Sequence, residues 1–457
     1  MMQTADEMTY RRLETEPVGR LLWEYSVPAI VGVMVMSLYN VVDRIFIGQG
    51  IGADAISGLA LTFPVMSLSA AIGMLIGVGA SSRISIVLGQ KNYGQAEKIL
   101  GNSLVLLLSF CLVYLSAFAL FMDEILRAFG GSERTIPYAR EFMYYILPGM
   151  LCMNLCYSFN NVMRASGYPK KAMLTMLLGA GLNLVLAPFF LFVLKMGIRG
   201  AAIATDIAMF VSMLFVMRHF IGRRSRLRFR RGTFRLEWKI IVSIVSIGLS
   251  PFLINVAASA INALLNMELQ HYGGDDAIGA FGIFNSYANL VVMLIVGLCQ
   301  GMQPIVGYNF GAGHYRRMKR AFLLTAFVAT VCTTIGWIGS TFLSYYIVRA
   351  FTYDAHLISV ARHGLKIAMI VFPIVGAQIV STNLFQSLGM ASKSIFLSLT
   401  RQVLFLIPLL VVLPRYWGLD GVWMAMPISD VIATVVTLAL LFRQNRLFNK
   451  QFGASFQ

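Results

Sequence analysis

The chain has 457 residues, of which 58% are hydrophobic and only 12% charged, with a mean hydropathy of +0.74. Ordinary soluble domains carry about a quarter charged residues, so this composition excludes a water-soluble globular protein and requires a bilayer as solvent. A net charge of +17 would suit nucleic acid, but the cations sit in short clusters between apolar runs, which marks membrane topology and excludes a nucleic-acid partner.

Residues 1–20, "MMQTADEMTYRRLETEPVGR", are polar and charged. They predict a cytoplasmic segment rather than a cleaved signal peptide, with the first span directing insertion. Apolar runs such as Leu104–Met122, Ala172–Leu194, Ala321–Val348 and Ser394–Leu413 each supply the ~18 or more residues needed to cross ~30 Å of hydrocarbon. In chain order the runs predict twelve spans. Six cover 21–47, 55–87, 99–121, 137–163, 172–194 and 200–219; six more cover 240–271, 277–306, 320–347, 357–388, 394–413 and 419–442. Basic clusters recur on alternate loops: Arg11/Arg12, Lys91/Lys98, Lys170/Lys171, Arg223–Arg235, Arg316–Arg320 and Arg443/Arg446. The positive-inside rule makes those loops and both termini cytoplasmic, facing the anionic lipids of a bacterial plasma (inner) membrane. The five cysteines lie within apolar runs and read as reduced core thiols. Cys152 and Cys156, spaced i, i+4, lack the His or Cys partners of a metal site.

The chain also repeats. "DAISGLA" (Asp54–Ala60) matches "DAIGAFG" (Asp276–Gly282), "LGQKNYGQAEK" matches "FGAGHYRRMKR", and "RASGYPKKAM" matches "QSLGMASKSI", all 222 residues apart. "GIRG" from Gly197 answers "GLDG" from Gly418 at 221, and Pro28 answers Pro251 at 223. The predicted fold is therefore an all-α polytopic membrane protein, two parallel six-helix repeats around a central cavity. The predicted lobes are 21–219 and 240–442, joined by a basic cytoplasmic linker at 220–239 and followed by a tail at 443–457. An even number of spans per copy makes the repeat parallel, the arrangement in which substrate binds between halves that rock against each other.

Several stretches carry a resemblance to a known family. "VDRIFIGQGIGADAISGLAL", "NNVMRASGYPKKAM", "QGMQPIVGYNFGAGHYRRMKRA" and the long run from "FQSLGMASKS" to "MAMPISD" resemble the multidrug and toxic compound extrusion (MATE) transporters, over nearly the whole chain. They look most like the bacterial drug-efflux branch. The resemblance implies a monomeric two-lobed antiporter that exports cationic, aromatic or amphipathic compounds in exchange for H+ or Na+, without other cofactor.

Ionisable groups inside a membrane are functional candidates by default. Asp43 and Arg44 stand together near the outer end of the first span. One reading is an interfacial pair. The other places Asp43 with Asn40, at i, i+3, on a polar stripe facing the lobe interior, since adjacent residues point about 100° apart. The resemblance implies that this aspartate is the cation-responsive acid. It also implies a second acid on the fifth span after an asparagine, but here Asn183 and Pro188 flank Ala187. Asp206 on the sixth span, beside Thr205, is the alternative carboxylate, and Arg199 is the structural partner that would remove it from that role. Asn154 and Asn161 serve either as cavity lining or as interhelical hydrogen bonds. On the seventh span Asn255, Ser259, Asn262 and Asn266, spaced 4, 3, 4, form one polar face that must avoid lipid. Glu268 reads as outer-interface structure or as ion-linked. Gln300, Gln303 and Gln378, with Arg401/Gln402, are further lining candidates. At the repeat position of Asp43 stands Asn266, so the acid belongs to one half only.

The 26 methionines suit a tolerant cavity, although most such residues simply pack helices. Interior prolines (Pro28, Pro148, Pro188, Pro251, Pro304, Pro373, Pro408 and Pro427) free backbone groups and bend helices. An enzyme would require a nucleophile, acid–base pair or metal cluster; the five scattered histidines and the absence of HExxH, GxSxG or phosphate-loop motifs argue against one. The alternative transport reading is a flippase for a lipid-linked glycan or an exporter of one specific metabolite.

Overall fold

In hydrocarbon an unpaired backbone N–H or C=O costs several kcal/mol, so a spanning chain this apolar must close its hydrogen bonds within each segment. The computed structural model, which describes residues 10–50, 53–129, 133, 135–222, 225 and 227–453, does so throughout: among the described residues every regular element is helical. The first half has α1 (Val18–Gly50), α2 (Ala53–Gly89), α3 (Tyr93–Leu120), α4 (Ile136–Ala165), α5 (Pro169–Pro188) and α6 (Ile198–Ile221). In the second half a continuous run, Trp238–Gly311, is broken at Gly274 (φ 64°, ψ −160°) into α7 (238–273) and α8 (275–311). Next come α9 (Tyr315–Phe342) and α10, the latter made of Ala355–Ala368 and Phe372–Ser387 meeting at 54°. A second break, at Gly418 (φ 55°, ψ −134°), separates α11 (391–417) from α12 (419–452). Nine helices among the described residues are apolar and long enough to cross a membrane, ten with the bent pair. The two glycine breaks bring that number to the twelve spans the sequence predicts.

The duplication is visible in the backbone itself. Left-handed residues recur at matching places: Lys91 (φ 59°) and Gly313 (φ 76°), Gly167 (φ 97°) and Gly389 (φ 71°), Gly197 (φ 62°) and Gly418 (φ 55°). Each pair ends or starts the same helix in its repeat. Interior prolines act where the sequence places them. A π-helical turn, Phe189–Val193, follows Pro188, and another, Thr400–Leu406, ends just before Pro408. The break in α10 falls immediately ahead of Pro373.

The chain divides into two compact units. Unit 1 holds Met1–Glu16 and Val27–Phe252, and unit 2 holds Pro17–Ser26 and Leu253–Gln457. Helices associate in lipid through close backbone approach and polar contacts rather than through apolar burial. In unit 1 α2 presents small residues to α4. Ser158 Oγ donates to Gly73 O at 2.8 Å, and a side chain at Gly77 would sit 2.6 Å from the Ser158 Cα. In unit 2 the fully buried Trp423 fills the groove left by Gly364 and packs against Phe281 and Phe284.

The basic stretch between α6 and α7 is a packed element. Asn102 of α3 donates to the carbonyls of Thr233 (3.2 Å) and Arg235 (3.0 Å) and accepts from the Glu237 N–H (2.8 Å). Lys98–Glu237 and Arg230–Glu97 ion pairs, at 2.7 and 2.9 Å, flank it.

Gly197 and Gly418 occupy a backbone region essentially closed to other residues, costing of order 1–3 kcal/mol when forced. Gly418→Val is therefore expected to lower the thermal unfolding midpoint of the purified protein, whereas Lys91→Gly leaves it equal or higher. Unchanged stability of the valine variant would refute the constraint.

Candidate functional site

The polar residues of unit 1 sort into two networks. One joins α1, α5 and α6. Asn183 Nδ2 donates to Thr205 Oγ1 at 2.8 Å and lies 3.3 Å from Tyr39 OH. Tyr39 OH and Thr205 Oγ1 approach to 3.5 Å. Thr205 spends its own proton on the Ala201 carbonyl, 3.0 Å away, which makes the Tyr39 hydroxyl the donor in that contact. Asn183 is 1% exposed. Asp43 lies one helical turn beyond Tyr39, and residues at i and i+4 share a face. The half-buried carboxylate thus stands at the edge of a satisfied cluster of amide and hydroxyls on three helices. The side chains of Asn40 and Arg44, the other members of the two readings of Asp43, lie outside the described residues.

Asp206 takes a different direction from its neighbour Thr205. Its carboxylate lies against α4 at Gly149, where any Cβ would fall 1.7 Å from Oδ1, so only glycine admits it there. Arg199, the structural partner considered for Asp206, instead pairs with Glu141. That alternative is corrected: the guanidinium is engaged with α4, leaving Asp206 to the Gly149 backbone.

The second network runs through α4. The Asn154 amide nitrogen lies 2.7 Å from both Ser69 Oγ and Tyr114 OH and 2.8 Å from Met150 O. Of its two possible tasks, bonding between helices is therefore realised, with the residue fully buried. Asn161 donates to Tyr157 O at 3.1 Å and accepts from Arg164 Nη1 at 3.4 Å. Arg164, 3% exposed, also donates to Asn160 Oδ1 at 3.0 Å.

In unit 2 the stripe on α7 is open. Ser259, Asn262 and Asn266 are exposed and Asn255 half-buried, while Ala257, Ile261, Leu265 and Leu269 on the opposite side enter the core. Glu268 is half-buried on the same helix. On α8 Gln300 is half-buried and Gln303 buried; Gln378 is buried on α10. The structure therefore brings Asn183 and Thr205 together, with Asp43 a turn away, and places Asp206, the α4 amides and the unit 2 residues in separate surroundings.

Three groups escaped the sequence reading. Tyr39 ties the α1 face to Asn183. Arg164 is a buried cation in a helix counted mainly for its asparagines. Asp430, 6% exposed, pairs with Arg401 at 2.6 Å. Ser429 Oγ donates to the Arg401 carbonyl at 2.7 Å, within the π-helical turn, where the regular ladder is shifted. A signal for the pair was present, an acid and a base in consecutive apolar spans.

A family model, MatE, matches residues 28–189 and again residues 251–412. The chain belongs to the MatE family. The two matched stretches begin and end 223 residues apart, so the family's unit coincides with the internal repeat. The Multidrug export protein MepA of Staphylococcus aureus is 25% identical over 437 residues, covering 96% of each chain. An FAD transporter of Shewanella oneidensis is 26% identical over 442 residues, covering 94% of this chain and 96% of its own. Among solved structures, a MATE in complex with MaD3S aligns with a TM-score of 0.90 over 96% of this chain and 98% of that one, at 24% identity. This MatE chain is thus a multi-pass transport-family protein with the MATE fold.

Removing one partner of a buried ion pair is costly, about 3–5 kcal/mol, because the other charge is stranded. Arg401→Leu in this MatE protein is expected to destabilise strongly. Arg401→Leu with Asp430→Leu should recover most of the loss, read as the unfolding midpoint in detergent. Additive losses in the double variant would contradict the pairing.

Proposed function

We propose that this MatE protein is an antiporter that exports cationic, aromatic or amphipathic compounds by alternating access of its two lobes, driven by inward flow of H+ or Na+. Asp43 is the coupling acid. The observation that carries the proposal is its position one turn from the buried Tyr39–Asn183–Thr205 cluster, in a helix otherwise apolar. A carboxylate there is held near polar groups that can reorient as it gains or loses a cation. Desolvation makes its charged state sensitive to how open the lobe is. One coupled charge moving through 100 mV supplies about 2.3 kcal/mol, roughly a fortyfold substrate gradient.

Asp206 provides the second carboxylate of the lobe in place of the acid that Ala187 does not supply. It acts from α6 through α4 rather than by touching Asp43. Asn154 and Asn161 hold α4 in register, and the exposed α7 face (Asn255, Ser259, Asn262, Asn266) with Gln300, Gln303 and Gln378 offers neutral hydrogen-bonding groups to substrate. Neutral amides suit varied cations better than a fixed counter-charge would. The protein works as a monomer in a bacterial plasma membrane, with both termini and the basic loops on the cytoplasmic side against anionic lipids, and with no nucleic acid or further cofactor. The similarity to an FAD transporter favours one second reading, export of a single specific metabolite.

Efflux from proteoliposomes under separately imposed pH and sodium gradients distinguishes the ions. Asp43→Asn should abolish gradient-driven export of a cationic dye while protein of normal stability accumulates in the membrane; undiminished transport would remove Asp43 from the coupling role. Asp206→Asn should change the pH dependence of transport with little change in stability, and an unaltered profile would make it structural. Broad dye tolerance in a pump-deficient host supports the multidrug reading; tolerance confined to one compound supports the second.

A further inference from the structure

Within unit 2, α9 and the opening turns of α1 enclose a surface cleft of about 500 Å³. Arg316, Lys319 and Arg320 line one end, and Leu323, Leu324 and Phe327 the other, with Gly19 opposite. On a helix the positions 316, 319, 320, 323 and 327 fall on one face, about 16 Å from first to last. The face is cationic where the chain enters the membrane and apolar further in. Leu323 and Phe327 are 54% and 66% exposed. Gly19 leaves the opposite wall low: a Cβ there would meet only Leu324, at 3.6 Å.

The internal repeat shows that this groove is a place meant to be covered. The equivalent positions on α3, 222 residues earlier, are Gly94, Glu97, Lys98, Gly101, Asn102 and Val105. There the stretch 225–237 closes the groove. Arg230 pairs with Glu97, Glu237 with Lys98, three hydrogen bonds reach Asn102, and the Thr233 carbonyl lies where a Gly101 side chain would be. The matching stretch ahead of α1 goes elsewhere. Tyr10 packs on Tyr93 and Glu14 pairs with Lys91, both within unit 1. On α9 the substitutions are coordinated with that change. Glu97 is replaced by Lys319, and the backbone-docking Gly101 and Asn102 by Leu323 and Leu324. A site that holds a basic peptide in one half thus has the chemistry for an anionic amphiphile in the other.

We propose that the α9 cleft is a binding site for one anionic phospholipid of the cytoplasmic leaflet, its phosphate held by Arg316, Lys319 and Arg320 and an acyl chain lying over Leu323 and Phe327. An acidic peptide would satisfy the cations but not the exposed apolar end. The bound lipid takes the place of the peptide that covers α3 and so keeps the two halves' cytoplasmic ends comparably packed. The proposal rests on the orientation given above only for the name of the leaflet. Lipid binding by the purified protein does not depend on transport or on that orientation, so each can fail without the other.

The test is native mass spectrometry of the full-length protein extracted from bilayers of equal phosphatidylglycerol and phosphatidylcholine with matched chains. One phosphatidylglycerol is expected to be retained preferentially. Each cation neutralised at the cleft should reduce its retention by about fivefold, so Arg316→Gln with Lys319→Gln is expected to lower it by more than tenfold. Gly19→Leu, which fills the cleft and alters no charge, should also reduce it, while Lys170→Gln in another basic loop should not. Equal retention of the two lipids overturns the proposal. So does full retention in Gly19→Leu, or an equal loss in Lys170→Gln, since either would mean diffuse surface attraction. Complete displacement by soluble glycerol phosphate would likewise overturn it, because the acyl chain would then contribute nothing. Unfolding midpoints in phosphatidylcholine alone identify any variant that is misfolded, and the remaining variants carry the result.

Discussion

The obligation to satisfy backbone hydrogen bonds without water governs the rest of this protein. It forces the chain into helices, and it restricts departures from helix to residues that tolerate them. Glycines with positive φ at 197, 274 and 418 let successive spans follow one another with almost no intervening loop. Prolines at 188, 373 and 408 sit beside π-helical turns or a 54° break. Where a carbonyl is released from the ladder, a side chain takes it up: Ser429 donates to Arg401, and Thr333 Oγ1 donates to Pro373 O at 3.0 Å. Positions that bend are therefore also positions where neighbouring helices are linked, a suitable construction for segments that move as bodies.

The same constraint explains how the polar side chains are used. In unit 1 the buried ones saturate each other in small clusters across three helices, with Asp43 left at the margin of one of them. A carboxylate at the margin retains freedom to exchange its cation, whereas one enclosed by strong donors would be committed. Asp430 illustrates the committed case, buried and bound to Arg401. The duplicated architecture thus carries unlike chemistry in its halves. The first has separate acids on α1 and α6; the second has an acid neutralised within its own unit and an open face of amides on α7.

Duplication followed by divergence is also visible at the basic ends of α3 and α9. Identical backbone turns, left-handed at Lys91 and Gly313, lead into helices whose exposed grooves differ in charge. On α3 the acid Glu97 meets a basic stretch of the chain itself. On α9 Lys319 stands at the same position, beside two arginines and an apolar strip. Pseudo-symmetry makes the difference legible, since each half serves as the reference for the other.

Twelve spans, the repeat and the family were legible in the sequence because each depends on composition or spacing along the chain. Hydropathy over some twenty residues reports burial in lipid, and a common offset near 222 reports duplication, with no knowledge of contacts required. The helical periods likewise placed Asn255, Ser259, Asn262 and Asn266 on one face, and that face is open. Which partner a polar side chain meets was not legible. Thr205 and Asp206 are neighbours in sequence, yet one closes the Tyr39–Asn183 cluster and the other lies against Gly149, because adjacent residues on a helix diverge by about 100° and different helices occupy the two directions. Arg199 went to Glu141, Asn154 to Ser69 and Tyr114, and Arg401 to Asp430, through pairings between segments far apart in the chain. The sequence by itself determined the helices and their number, since the bilayer imposes those locally. Only the tertiary structure decided the pairings, which depend on how the helices are rotated and packed against one another.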